Sequence, residues 1–247
     1  MKFPKQTDLS AVKSVARTFL YLPIEETEVS PIVVQHPFYE NGFMMLPNSP
    51  EDPQNKMPKM LDLLNSSEDV TKANAIILER IETAKSAFHV SLLLRTAYRL
   101  TFIKYAKNYL NREDFSKMLA DAWTETENPN RDPNVSLTMA TRWFRAADPM
   151  YLMSEEERKV YNSFENGATV YRGVAVGRNP MGLSWTDNYE KAFWFAHRFD
   201  IAGESGYVQK AQVPTDKMLA YFLLSGEYEL SVDTKGIEIT GYFTSLE

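Results

Sequence analysis

Three short stretches in the last third of the chain carry residue types that could do chemistry together. Val170-Tyr171-Arg172-Gly173 places an arginine where a β-type run leaves into a glycine-containing loop. Gly182-Leu183-Ser184-Trp185-Thr186 brings two hydroxyls just ahead of a helical run starting at Asp187. Ser225-Gly226-Glu227-Tyr228-Glu229-Leu230 sets two carboxylates two positions apart at the entrance to a strand. Residues two apart in a strand face the same way, so Glu227 and Glu229 are expected to point into one cleft. A carboxylate beside a sugar carbon stabilises the positive charge that develops when a glycosidic bond breaks. A guanidinium offers forked donors to a phosphate or a ribose. A glycine lets the backbone approach a bound group. Each piece alone has an ordinary reading. Arg172 is then a surface ion-pair arginine, Ser184 or Thr186 a helix cap, and the two glutamates the solvent face of a strand.

Taken in this order, the three stretches resemble the arginine–serine–glutamate class of ADP-ribosyltransferases. The resemblance covers roughly residues 113–247 and is specific over 169–232. It departs at the middle motif, where the family usually carries a further hydroxyl and this chain has Trp185 between Ser184 and Thr186. The resemblance implies NAD⁺ as co-substrate, without a metal. It implies that Glu229 stabilises the oxocarbenium-like ribose and that Glu227 positions or deprotonates the acceptor. It implies that Arg172 holds the dinucleotide, that Gly173 meets the nicotinamide amide, that Ser184 orients Glu229 and that Thr186 caps the next helix. Phe193, Trp194 and Tyr221 are candidates to line the nicotinamide pocket. The implied acceptor is an intracellular macromolecule, with a protein arginine favoured. An RNA or DNA base, water (an NAD glycohydrolase) and a catalytically silent binding module are the alternatives. Transfer to phosphorylated RNA ends ranks lower, because relatives that do it use several bases in the cleft. Small enzymes of this kind resemble bacterial toxin–antitoxin or phage-conflict effectors, which implies a neutralising antitoxin or inhibitor protein as partner.

Other chemistries lack their residues. The chain has no cysteine, which removes disulfides, thiolate metal sites and thiol nucleophiles. His36, His89 and His197 stand far apart in sequence and form no ligand pair, so no metal is expected. Gly-x-Ser-x-Gly, P-loop and Gly-x-Gly-x-x-Gly patterns are missing, so a Rossmann mode of NAD⁺ binding is not expected.

The elements that must position these residues read as follows. Residues 1–66 are proline-rich, with prolines at 4, 23, 31, 37, 47, 50, 53 and 58, and suggest a partly ordered arm with one short helix near residues 8–20. Residues 67–110 contain no proline or glycine and repeat apolar residues at helical spacing, which predicts one long helix or two in line. Ser67 with Glu68 and Asp69 would open it. A helix over 112–124 follows, then a loop over 128–134. Ser136 opens another helix, and Ser154 with Glu157 forms a capping box for one more. After Gly167 come β-type runs at 169–176, 206–213, 229–232 and 237–243, with one helix over 188–199. The fold class expected is α+β: a helical N-terminal region packed on a small β-rich ADP-ribosyltransferase core. The regions are an arm over 1–66, a helical region over 67–112 and a catalytic domain over 113–247.

Charge adds two points. Residues 164–247 hold 7 basic and 11 acidic side chains, which argues against general phosphate binding by that surface. Between 83 and 112 there are bases but no acids, and Arg95, Arg99 and Lys104 would share one half of a continuous helix with interleaved aromatics. Such a face suits nucleic acid or an acidic partner, although a solvated face over a core stripe is the plainer reading. The opening residues show no signal-peptide pattern, and no apolar run is long enough to span a membrane, so a cytoplasmic protein is expected.

Overall fold

A computed structural model describes residues 1–28, 30–46, 59–200, 204–223 and 228–244. The chain is α+β and divides into two compact units, Lys2–Asp114 and Phe115–Glu247. No helix among the described residues is long and apolar enough to cross a membrane.

The first unit opens with α1 (Leu9–Leu20), capped by the Asp8 carboxylate and burying Val12, Ala16, Phe19 and Leu20. Two antiparallel hairpins follow, β1 (Glu25–Thr27) with β2 (Ser30–Gln35), and β3 (Phe43–Met45) with β4 (Met60–Asp62). The proline-rich stretch is thus more regular than its sequence suggests, and it belongs to the same unit as the helices after it. Pro47, Pro50, Pro53 and Pro58 lie outside the described residues.

The expected long helix is three pieces: α2 (Ser67–Thr83), α3 (Ala87–Leu92) and α4 (Thr96–Ala106). Ser66, one residue ahead of the expected start, caps α2 by accepting from the Asp69 N–H. The first break comes at Ala84 with ψ 133°, where Ser86 then caps α3. The second comes at Arg95, whose own N–H bonds the Pro37 carbonyl. Its guanidinium reaches the carbonyls of Val34 (3.0 Å) and Tyr39 (3.2 Å). Long-range backbone partners therefore end the helix where no glycine or proline does. This corrects the proposed basic face. Arg95 is spent on carbonyls, Arg99 donates to Leu94 O, and Arg95, Arg99 and Lys104 are all half-buried. The projection that aligned them assumed a continuous helix.

The second unit takes in most of α5 (Arg112–Glu125), then α6 (Leu137–Ala146), α7 (Pro149–Leu152) and α8 (Glu155–Ser163). Ser136 caps α6, and the Ser154–Glu157 capping box opens α8 as expected. Glu157 does more than cap, because its other oxygen accepts the Leu223 N–H at the end of a strand. The sheet comprises β5 (Ala168–Val174), β6 (Ser184–Thr186), β7 (Tyr207–Val213), β8 (Met218–Phe222), β9 (Glu229–Val232) and β10 (Ile239–Phe243). Helix α9 (Tyr189–His197) lies between β6 and β7 in the chain. The strand order is β10-β7-β5-β6-β9-β8, antiparallel throughout. Aromatic contacts carry α5 and α6 onto the sheet: Trp123 meets Phe144 edge-on, and Phe144 meets Phe222 at a tilt.

Candidate functional site

The sheet is joined unevenly. Strand β5 pairs with β7 along its whole length, from Ala168↔Val213 to Val174↔Tyr207. Across its other edge, β5 meets β6 at a single pair, Tyr171↔Thr186. Among the described residues Arg172–Val174 have no ladder partner on the β6 side, and a cleft opens there. Arg172, Gly173, Ser184, Thr186 and Glu229 all line it, together with Trp123, Asn128, Asn130, Arg178, Phe195, Arg198 and Phe199. Register explains part of the grouping. Thr186 lies opposite Glu229, and Ser184 lies opposite Ser231, so the four side chains stand on one face of the β6–β9 ladder.

Glu229 is held by donors. Its Oε1 accepts from the Trp123 indole N–H at 2.7 Å and from the Ser231 hydroxyl at 3.1 Å. Tyr228 just before it has φ +52°, a left-handed conformation that is strained for a bulky residue and sets how the chain enters β9. Glu227 lies outside the described residues.

Arg172 ends on backbone carbonyls. One terminal nitrogen donates to Asn179 O at 2.9 Å and the other to Ser184 O. Its Nε is buried and has no partner. Burial pushes its pKa down to about 10, with Glu229 nearby opposing the shift, so it stays protonated at neutral pH. Gly182 makes room for it: a Cβ there would stand 2.3 Å from Arg172 Nη2.

Ser184 has a different observed partner from the one expected. Its hydroxyl accepts from Asn130 Nδ2 at 3.1 Å, and the same Asn130 side chain accepts the Leu183 N–H. The serine shown donating to Glu229 is Ser231, its cross-strand neighbour. Thr186 accepts the Asn188 N–H at 3.1 Å, and Asn188 is the residue that caps α9. Trp185, between the two hydroxyls, is a buried indole bonded to Gly182 O.

Gly173 serves the helix as well as the cleft. A Cβ there would lie 2.1 Å from Ala192 O and 2.6 Å from Ala196 N. Gly206 on the neighbouring chain segment meets Ala196 O in the same way. The two glycines let α9 press against β5 and β7. Helical period then sorts its aromatics. Ala192, Phe195, Arg198 and Phe199 turn to the cleft, whereas Phe193 and Trp194 line a neighbouring groove with Glu190, His197 and Arg198. Tyr221 is buried away from the cleft lining, its hydroxyl donating to Asp187 at 3.3 Å. Burial pushes both its phenol and the Asp187 carboxyl up from their ordinary values. The expectation that Phe193 and Tyr221 line the pocket is thereby replaced by Phe195, Phe199, Tyr171 and Trp123.

Sequence reasoning missed Trp123, Asn130, Ser231 and Arg198. Asn130 sat in a segment recognised only as a loop, and Trp123 in an amphipathic helix where an indole reads as core. Chemically, the cleft pairs a fixed cation that can take an anion with a fixed carboxylate that can face a developing cation. Among the described residues no group of His, Asp or Glu could hold a metal ion. No protein-family model, curated protein or solved structure matches the chain.

Proposed function

We propose that the second unit transfers ADP-ribose from NAD⁺ to a macromolecular acceptor, releasing nicotinamide. The observation that carries this reading is the cleft itself. Five residues drawn from three separate stretches meet where the sheet opens between β5 and β6. The residues present fit the dinucleotide. Arg172 keeps a buried N–H without a partner beside the cleft, which suits a phosphate or ribose oxygen. Phe195 offers an apolar face to a ring.

In the reaction the bond between ribose C1′ and the nicotinamide nitrogen breaks, and its electron pair leaves with nicotinamide. Positive charge develops on the ribose. Glu229, already oriented by Trp123 and Ser231, stabilises it without reorganising. An acceptor nitrogen or oxygen then bonds to C1′ and loses its proton. By resemblance to the family, Glu227 receives that proton or positions the acceptor.

The test is Glu229→Gln, which keeps shape and removes charge. Nicotinamide release from NAD⁺ should fall by about 10²–10³, with the circular dichroism spectrum unchanged. Near-parent release by the folded variant would overturn the assignment. NAD⁺ binding without any release by the parent would leave a binding module instead.

A further inference from the structure

The end of α9 carries a cluster that starts in the cleft and runs past the residues that would hold NAD⁺. The Arg198 guanidinium sits 5.3 Å from the Trp194 ring centroid, 5.1 Å from Phe195 and 4.6 Å from Phe199. Arg178 lies 5.8 Å from the same Phe199 ring. Trp194 and Phe199 are 54% and 49% exposed, so two large aromatic rings are offered to solvent beside two guanidinia. Arg198 lines both the cleft that holds Glu229 and the groove that holds Trp194. The platform is therefore continuous with the site but extends past it.

Charge decides what it fits. Residues 164–247 have only 7 basic side chains against 11 acidic ones, yet Arg172, Arg178 and Arg198 all face this one cleft. The concentration is local and consists wholly of planar cations that can stack. Glu127 is the acid beside the outer pair, 3.9 Å from each, and its side chain is 73% exposed. So long and open an ion pair holds little and yields to a phosphate. An acceptor that is itself a guanidinium would be repelled here, whereas a polyanion would be drawn in. Alternating aromatic faces and guanidinia are how proteins hold single strands, by stacking bases and tracking phosphates.

We propose that the acceptor is single-stranded nucleic acid, whose bases stack on Trp194 and Phe199 and whose phosphates meet Arg178 and Arg198, so that a nucleotide is delivered to the cleft at Glu229. This rests on the reading of the cleft as an ADP-ribosyl transfer site. The step balances. The C1′–nicotinamide bond breaks, a bond forms between C1′ and a base nitrogen or a nucleotide oxygen, nicotinamide takes the electron pair, and the acceptor's proton passes to solvent. It replaces the protein arginine that the family resemblance favours.

Two measurements on the full chain separate the layers of the argument. In the first, fluorescein-labelled oligo(U) and oligo(dT) are titrated without NAD⁺. Trp194→Ala should weaken binding roughly tenfold, while Trp194→Phe should restore most of it. Arg178→Gln with Arg198→Gln should reduce the slope of log affinity against log salt by about 1.4, the value for two single-strand phosphate contacts. Glu127→Gln should tighten binding. In the second, labelled NAD⁺ is incubated with the protein and a cell lysate, and the product is digested separately with nuclease and protease. Nuclease-sensitive label is expected. Label released only by protease would overturn the proposal, and so would oligonucleotide binding that is absent or indifferent to Trp194→Ala and to the double arginine change. Oligonucleotide binding of the stated kind with no nicotinamide release would uphold the platform and sink the transfer reading beneath it.

Discussion

Trp123→Phe probes the part of the site that sequence alone did not show. The indole is 1% exposed and donates to Glu229 Oε1 at 2.7 Å. Phenylalanine keeps most of the ring and loses that N–H. A hydrogen bond to a charged group contributes about 1.5–3 kcal/mol. Ser231 still donates to the same oxygen at 3.1 Å, which places the loss near the lower end of that range. At ~1.4 kcal/mol per tenfold, nicotinamide release should fall roughly tenfold to thirtyfold. The smaller ring also leaves a void, costing about 1–2 kcal/mol of stability. Phe144→Leu separates the two effects. Phe144 packs edge-on to the same indole at 5.0 Å, so trimming it loosens the packing and leaves the N–H in place. Initial rates at saturating NAD⁺ and melting temperatures of both variants would be compared. A large loss of rate in Trp123→Phe alone supports orientation of the carboxylate by the indole. Equal rate losses at equal melting temperatures would reduce Trp123 to packing, and a rate within about twofold of the parent would remove it from the site altogether.

Two further outcomes test the frame around the cleft. Gly173→Ala sets a methyl against the Ala192 carbonyl and the Ala196 N–H, backbone atoms that cannot rotate away. α9 must lift from β5, at a cost of about 1–3 kcal/mol, so calorimetry should show a melting temperature several degrees lower; an unchanged one would mean that the helix does not sit on the strand. In the first unit, His36 is buried and neutral, its Nδ1 accepting from Phe38 and Tyr39 and its Nε2 facing Leu20 O. Burial lowers its pKa to about 4 from 6.5. Below pH 6.5 the unfolded chain takes up this proton before the folded one does, so stability falls with pH, by about 2 kcal/mol between pH 7 and pH 5, and the loss levels off below about 4. Urea unfolding followed by circular dichroism should show this slope in the parent and a shallower one in His36→Asn; equal slopes would clear His36 of the effect.

Legibility of the sequence varied with how local the cause was. The capping box at Ser154 and Glu157 and the cap at Ser136 follow from neighbours in the chain, and they formed as expected. The strands carrying Arg172 and Glu229 announced themselves by composition and turn residues. Strand β8 did not. Met218–Phe222 is buried at every position, and a short unbroken apolar run suits a helix as well as a strand. The breaks between α2, α3 and α4 were hidden for another reason, since the carbonyls that hold Arg95 come from residues some sixty positions earlier. Inside the cleft, Arg172, Gly173, Ser184, Thr186 and Glu229 were visible from order and spacing. The groups that orient them were not. Trp123 and Asn130 reach their partners from 53 to 106 positions away, Ser231 reaches Glu229 from two, and nothing in a lone sequence distinguishes an indole that donates to a carboxylate from one that fills a core.

Arg172 makes the strongest physical case that the cleft is built to receive something. A buried cation is costly unless it is paired and its donors are satisfied. Here the terminal nitrogens rest on the carbonyls of Asn179 and Ser184, Nε is left without a partner, and Glu229 is a nearby opposite charge. An apolar residue of similar volume in this place would carry no desolvation cost. Gly182 instead leaves room for the guanidinium, on the side of β5 where pairing with β6 is limited to Tyr171↔Thr186. An arriving anion would supply the missing acceptor and offset the burial. On the proposed transfer reading, neutralising Arg172 in this way would also leave Glu229 to face the ribose, as a developing oxocarbenium requires.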